Sequence, residues 1–153
     1  ESFNMKFDTE LPEEERAENG KGPVISLEGM GEGQTISVVD DDMIIQELIK
    51  TTFLDTNFTI NTYDNGKKFL LDKNAYSSSL VFLDLMMPEM DGFTVLKFLK
   101  QKNIKLPIIV LSALSEKETV VKALQLGVRS YLIKPLKPEE IIQKSTEILK
   151  ANF

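Results

Sequence analysis

The chain reads as an α/β protein, a doubly wound parallel sheet built from five strand–helix units. Three observations predict this. Residues 80–83 and 106–111 are short apolar runs, Leu-Val-Phe-Leu and Leu-Pro-Ile-Ile-Val-Leu, of the kind a sheet covered on both faces requires. Stretches with apolar residues at helical spacing separate the strand-like runs. The alternation recurs five times without an internal repeat, which is the pattern of a parallel sheet with helices on both faces.

Taken in order, residues 35–40 (Thr-Ile-Ser-Val-Val-Asp) form a strand that ends in acids. Residues 43–54 follow as a helix, with Ile44, Ile45, Leu48 and Ile49 at helical spacing. Residues 58–63 alternate as a second strand, Asn65-Gly66 punctuates, and 67–73 make a short helix. Residues 80–84 are the central strand; the turn through Pro88, Asp91 and Gly92 leads into a helix from about 92 to 102, with Val95, Leu96, Phe98 and Leu99 inward. The fourth strand, 106–111, ends at Ser112. Ser115 with Glu118 has the form of a capping box opening a helix to Leu126, which Gly127 terminates. Residues 129–133 are the last strand, and Pro138 occupies a first-turn position ahead of the final helix.

Ahead of these units lies an acidic extension. Residues 1–33 carry nine acids against three bases, which leaves 15 of each for residues 34–153. Five of the eight glycines also fall there, so residues 1–33 are expected to be a solvated linker or the end of a preceding domain, with the folded unit at 34–153. Phe3, Met5 and Phe7 alternate with polar residues as a short strand would. The chain opens on Glu1 rather than Met, which suggests a processed product or an excerpt of something longer.

Composition excludes several functions. No run approaches the roughly 18 apolar residues of a membrane span, and no signal-peptide pattern opens the chain. Zero cysteines exclude disulfides, thiolate zinc sites and thiol catalysis, and fit a cytoplasmic setting. Zero histidines exclude an imidazole base and a histidine able to carry a phosphoryl group within this sequence. No basic stripe exists for direct nucleic-acid binding.

Polar groups stand at the carboxyl ends of the strands: Asp40 and Asp41 on the first, Asp84 on the third, Ser112 on the fourth, with Lys134-Pro135 just after the fifth. In a parallel sheet these ends share one edge, where open α/β folds place their ligands. Two carboxylates about 4 Å apart repel by about 4 kcal/mol at an effective dielectric near 20. A hard divalent cation cancels that repulsion, and Mg²⁺ fits because it needs few carboxylates and keeps its waters. A carboxylate nucleophile beside Mg²⁺, a lysine and a hydroxyl is what phosphoryl transfer to aspartate requires.

At this point the residues resemble a known family. The acid pair Asp40-Asp41, the stretch Leu-Asp84-Leu-Met-Met-Pro88-Glu-Met-Asp91-Gly92, Ser112-Ala113 and Tyr131-Leu-Ile-Lys134-Pro135 are similar to the receiver domain of two-component response regulators, over about residues 34–152. The resemblance implies a flavodoxin-like fold with strand order 2-1-3-4-5. It implies Asp84 as phosphoacceptor, and Mg²⁺ held by Asp41 and Asp84 directly, by the backbone carbonyl of Met86, and by Asp40 through water. It implies Lys134 on the phosphoryl group ahead of a cis peptide at Pro135, and Ser112 and Tyr131 as the switch pair. Asp42 extends the acid pair to three, and its expected role is a helix N-cap. Met86 and Leu114 are apolar where the family flanks the attacking water, so a moderately long-lived phosphoryl state is expected.

Other classes fit less well. A dehalogenase-type phosphatase needs a second acid two residues after its nucleophile, where this chain has Met86. A flavin-mononucleotide binder needs a phosphate-cradling loop where Asp40-Asp41-Asp42 would repel phosphate. A receiver-like module that works without phosphorylation is the competing reading, and the intact acid set argues against it. The resemblance implies a histidine kinase or a histidine-phosphotransfer protein as phosphoryl donor, and a downstream protein target. It implies a phosphoacceptor that assists its own phosphoryl transfer and hydrolysis rather than a dedicated enzyme. With the last helix ending near Phe153, output is expected through protein contacts or through whatever precedes residue 1. Residues 3–7 followed by Leu11-Pro12 resemble the closing strand of a histidine-kinase ATP-binding domain, which would make this the carboxy-terminal receiver of a hybrid kinase; a stand-alone or other multidomain regulator stays open.

Overall fold

The computed structural model describes residues 27–113 and 117–151. The strand expected at 3–7, most of the acidic extension, Leu114 and the Ser115 cap lie outside the described residues.

Five parallel strands form one sheet in the order β2-β1-β3-β4-β5. They are β1 (Thr35–Val39), β2 (Thr59–Tyr63), β3 (Leu80–Asp84), β4 (Ile108–Ser112) and β5 (Ser130–Ile133). Among the described residues five α-helices connect and follow them: α1 (Met43–Thr52), α2 (Gly66–Leu71), α3 (Gly92–Gln101), α4 (Lys117–Gln125) and α5 (Pro138–Ala151). This is the flavodoxin-like arrangement. Every residue of β3 and β4 is buried, as central strands covered on both faces must be.

Strand alternation sorts the core into two layers. Ile36, Val38, Leu80, Phe82, Ile109 and Leu111 face α1 and α5, where Ile45, Ile49, Ile141 and Leu149 meet them. Val39, Val81, Leu83 and Val110 face α2, α3 and α4 through Phe69, Val95, Leu96, Leu99 and Ala123. The charged residues at the strand ends are thereby left on the carboxyl edge of the sheet.

Local chemistry moves several expected boundaries. The fourth strand begins at Ile108 rather than 106, because Pro107 has no N–H to donate and contributes only its carbonyl, to the Val81 N–H at 2.9 Å. The helix expected over 67–73 stops at Leu71. Asp72 breaks it: its carboxylate accepts from the Asn74 N–H at 3.1 Å and the Tyr63 hydroxyl at 2.7 Å, and starts a 3₁₀ turn at Lys73–Ser77 that the sequence reading missed. Phe98 is half-buried rather than inward.

Residues 27–33 also correct an expectation. They are a packed turn, not a solvated linker. Leu27 is fully buried in the cluster with Phe53 and Phe58. The Gly29 N–H donates to Asp55 O at 3.0 Å, and the Asn57 N–H donates to Met30 O at 2.7 Å. Gly31 has φ 96° and lies against the Phe58 ring, so any side chain there would strain the backbone and strike the ring.

Candidate functional site

The site begins with β3. Its last residue, Asp84, is 2% exposed, and a carboxylate buried there requires partners. Its Oδ1 accepts from the Met86 N–H at 3.0 Å, and its Oδ2 lies 3.3 Å from Lys134 Nζ. The turn that follows folds tightly over the strand end. A Cβ on Gly92 would come within 2.6 Å of Asp84 O and 2.8 Å of Leu85 Cα, so glycine is required by close approach. Asp91 then caps α3, its carboxylate accepting from the Thr94 N–H at 2.9 Å.

The acid run after β1 divides its labour. Asp40 is fully buried, and its Oδ1 accepts from the Asp42 N–H at 2.9 Å. Its Oδ2 is 3.2 Å from Lys134 Nζ but, among the described residues, has no partner in hydrogen-bonding geometry. Asp41 is exposed. Asp42 is the N-cap of α1, as expected, accepting from the Ile44 N–H at 2.8 Å. Oxygens of Asp40, Asp41 and Asp84 lie within 4.8 Å of one another, close enough to share one cation.

Lys134 enters from the β5 end. Its ammonium bridges Asp40 and Asp84 at 3.2 and 3.3 Å, and it precedes the expected cis peptide to Pro135. Its backbone N–H donates to Ser112 O at 2.7 Å, which ties the ends of β4 and β5 together. Burial works to lower the lysine pKa, yet the Asp40 and Asp84 charges outweigh it and hold the ammonium above its ordinary range. Burial pushes the Asp40 carboxyl up from 3.8 to about 6; the Asp42 N–H and Lys134 oppose the rise, and the Asp84 charge adds to it.

The remaining expected residues stand on β4, on β5 and just after β3. Ser112 is buried at the end of β4, next to β3 in the sheet. Tyr131, paired in register with Val110, is 37% exposed, with Lys144 Nζ 5.4 Å from its ring centre. Met86 follows Asp84 by two residues and exposes 71% of its surface.

One supporting residue was missed. Gln46 is buried on α1, where its Nε2 donates to Asp40 O at 2.7 Å and to Asp64 Oδ1 at 3.1 Å. It anchors the backbone of the acid run, and its amide holds the Asp64 carboxyl below the usual range. The available signal was a polar side chain between Ile45 and Ile49, on the face that must be apolar.

The family model of the response regulator receiver domain matches residues 36–146. The transcriptional regulatory protein GltR of Pseudomonas aeruginosa is 33% identical over 120 residues, covering 77% of this chain and 50% of GltR. The chemotaxis protein CheY of Bacillus subtilis is 30% identical over 115 residues, covering 74% of this chain and 96% of CheY. The receiver domain of the Francisella response regulator 1452 superposes with a TM-score of 0.72 at 33% identity, covering 78% of this chain and 99% of that one. The chain thus spans about half the length of GltR, and nearly all of CheY and of the Francisella domain.

Proposed function

The chain belongs to the response regulator receiver domain family, and from that premise we propose that residues 34–153 are the phosphorylation switch of a two-component phosphorelay, with Asp84 as acceptor. The observation that carries this reading is the contact of buried Asp84 with Lys134 inside a three-carboxylate cluster. A buried acid fixed at a strand end, facing an ammonium and two further acids, costs stability that a merely structural role would not justify.

The proposed reaction needs a donor outside this sequence, since the sequence has no histidine. A phosphohistidine of a histidine kinase or histidine-phosphotransfer protein supplies the phosphoryl group. An Asp84 carboxylate oxygen attacks phosphorus, the P–N bond breaks, and imidazole leaves with its electron pair. The product is an acyl phosphate on Asp84. The Met86 N–H steadies one carboxylate oxygen, leaving the other, now paired with Lys134, to react. Lys134 then follows the charge onto the phosphoryl oxygens.

The residues fit a hard divalent cation. Three carboxylates converge, and Asp40 Oδ2, buried 3.2 Å from the Lys134 ammonium, has no partner in hydrogen-bonding geometry among the described residues. Asp41 and Asp84 would hold Mg²⁺ directly, Met86 through its carbonyl, and Asp40 through water. Mg²⁺ when bound would neutralise phosphoryl charge. Ser112 would bond the remaining phosphoryl oxygen, and Tyr131, half out of the fold, would turn inward as Ser112 moves. The altered surface of α4, β5 and α5 would then be read by a target protein. Met86 offers no polar group to an attacking water, which favours slow hydrolysis. A cytoplasmic setting belongs to the same reading.

Borohydride reduction after reaction with acetyl phosphate and Mg²⁺ tests the acceptor. Peptide mapping is expected to find homoserine at position 84 alone. A borohydride-resistant phosphoryl group on Ser112 or another hydroxyl would overturn the assignment.

A further inference from the structure

A second concave site lies on the opposite edge of the sheet, away from the carboxylates. The C-terminal part of α3, the turn before β4 and the approach to β5 enclose a cavity of about 430 Å³, within the size range of small-ligand pockets. Its floor is apolar: Leu96, Leu99 and Ile108 line it and belong to the core. Three exposed cations, Lys100, Lys105 and Arg129, stand among the lining residues, each from a different segment.

Among the described residues none of these three cations makes an ion pair. Two helix C-termini, of α3 and α4, reach the same cavity, and each contributes about half a negative charge. Three full positive charges exceed that, so the cavity keeps a net attraction for anions. The walls are also fixed. Asn103, at φ 57°, closes α3 by donating its N–H to Lys100 O at 3.1 Å, and the Ile104 N–H donates to Leu99 O at 2.9 Å. The Arg129 N–H is held by Ile108 O at 2.8 Å.

We propose that this cavity binds a small amphiphilic anion, its apolar body on Leu96, Leu99 and Ile108 and its carboxylate or phosphate head on Lys100, Lys105 and Arg129. An apolar floor without cations would take any greasy molecule, and cations without a floor would bind only diffuse counterions. Their juxtaposition selects a ligand with both parts. The site needs neither Asp84 nor a metal, so it stands or falls apart from the phosphoacceptor reading.

The test uses the full chain and three probes below their aggregation limits: octanoate, octyl phosphate and uncharged octanol. Amide NMR follows each titration. Saturable shifts are expected at residues 99–106 and 126–129 with one or both anions, and octanol is expected to bind about tenfold more weakly. The stronger anion identifies the head group. Arg129→Gln with Lys105→Gln should weaken anion binding about tenfold while amides in β1 and β3 stay unmoved. Equal binding of octanol and the anions, shifts scattered over the surface, no saturable response, or undiminished binding by the double variant would each overturn the proposal.

Discussion

Replacing Asp40 by Asn should stabilise the metal-free protein at neutral and alkaline pH, although it removes a residue of the proposed site. Asp40 is fully buried, and its carboxyl titrates near 6 in the fold rather than at its ordinary 3.8. A carboxyl that holds its proton more tightly folded than unfolded weakens the native state wherever it is ionised. The penalty is absent below 3.8, grows as pH rises towards 6, and is complete above that. The gap between the two values corresponds to about 3 kcal/mol. Asn has nearly the same shape and keeps an oxygen for the Asp42 N–H, so it removes the charge without opening a cavity. Urea denaturation in chelator at pH 8 should therefore show Asp40→Asn more stable by about 3 kcal/mol, or roughly 10 °C in melting temperature. At pH 4.5 the advantage should shrink to about 1 kcal/mol. A variant no more stable than wild type at pH 8, or an advantage that does not shrink on acidification, would refute the argument that burial of this charge dominates.

Further consequences can be measured on the same protein. Mg²⁺ should raise the wild-type melting temperature at pH 8 and do so less as pH falls through about 6, where protons compete for Asp40; a pH-independent rise would contradict the carboxylate site. Lys134→Ala strips Asp40 and Asp84 of their shared cation, so it should cost about 3 kcal/mol in chelator, with a larger Mg²⁺-induced gain than wild type by calorimetry. Gly92→Ala places a methyl against Asp84 O and Leu85 Cα, and should destabilise by about 1–3 kcal/mol in urea titrations. Gln46→Leu leaves the Asp40 carbonyl without its side-chain donor, costing about 1–3 kcal/mol, and should weaken Mg²⁺ binding by calorimetric titration although Gln46 is no metal ligand.

The fold and the convergence of the site were legible because both rest on patterns that the chain writes locally. Short apolar runs such as Ile108–Leu111 fit strands buried on both faces, and a parallel sheet then gathers Asp40, Asp84, Ser112 and Lys134 on one edge. What escaped was set by single hydrogen bonds between distant segments. Gln46 reads as a lapse in an apolar stripe until Asp40 O and Asp64 are seen across from it. Asp72 looks like part of a helix until Tyr63, nine residues earlier, claims its carboxylate. Leu27 sits in a glycine-rich acidic stretch whose composition suggests solvent, yet it is fully buried in the core cluster that holds Phe53 and Phe58. The burial of the acids was equally hidden, since Asp40 and Asp41 are neighbours in sequence and opposites in exposure.

Phosphoryl transfer to Asp84 is the step on which the proposed switch depends. Its most direct test is the intact mass of wild type and Asp84→Asn, side by side, after incubation with acetyl phosphate and Mg²⁺. One phosphoryl group on wild type and none on the variant is the predicted result. With Mg²⁺ binding verified, an unmodified wild type, or equal modification of the variant, would contradict the claim.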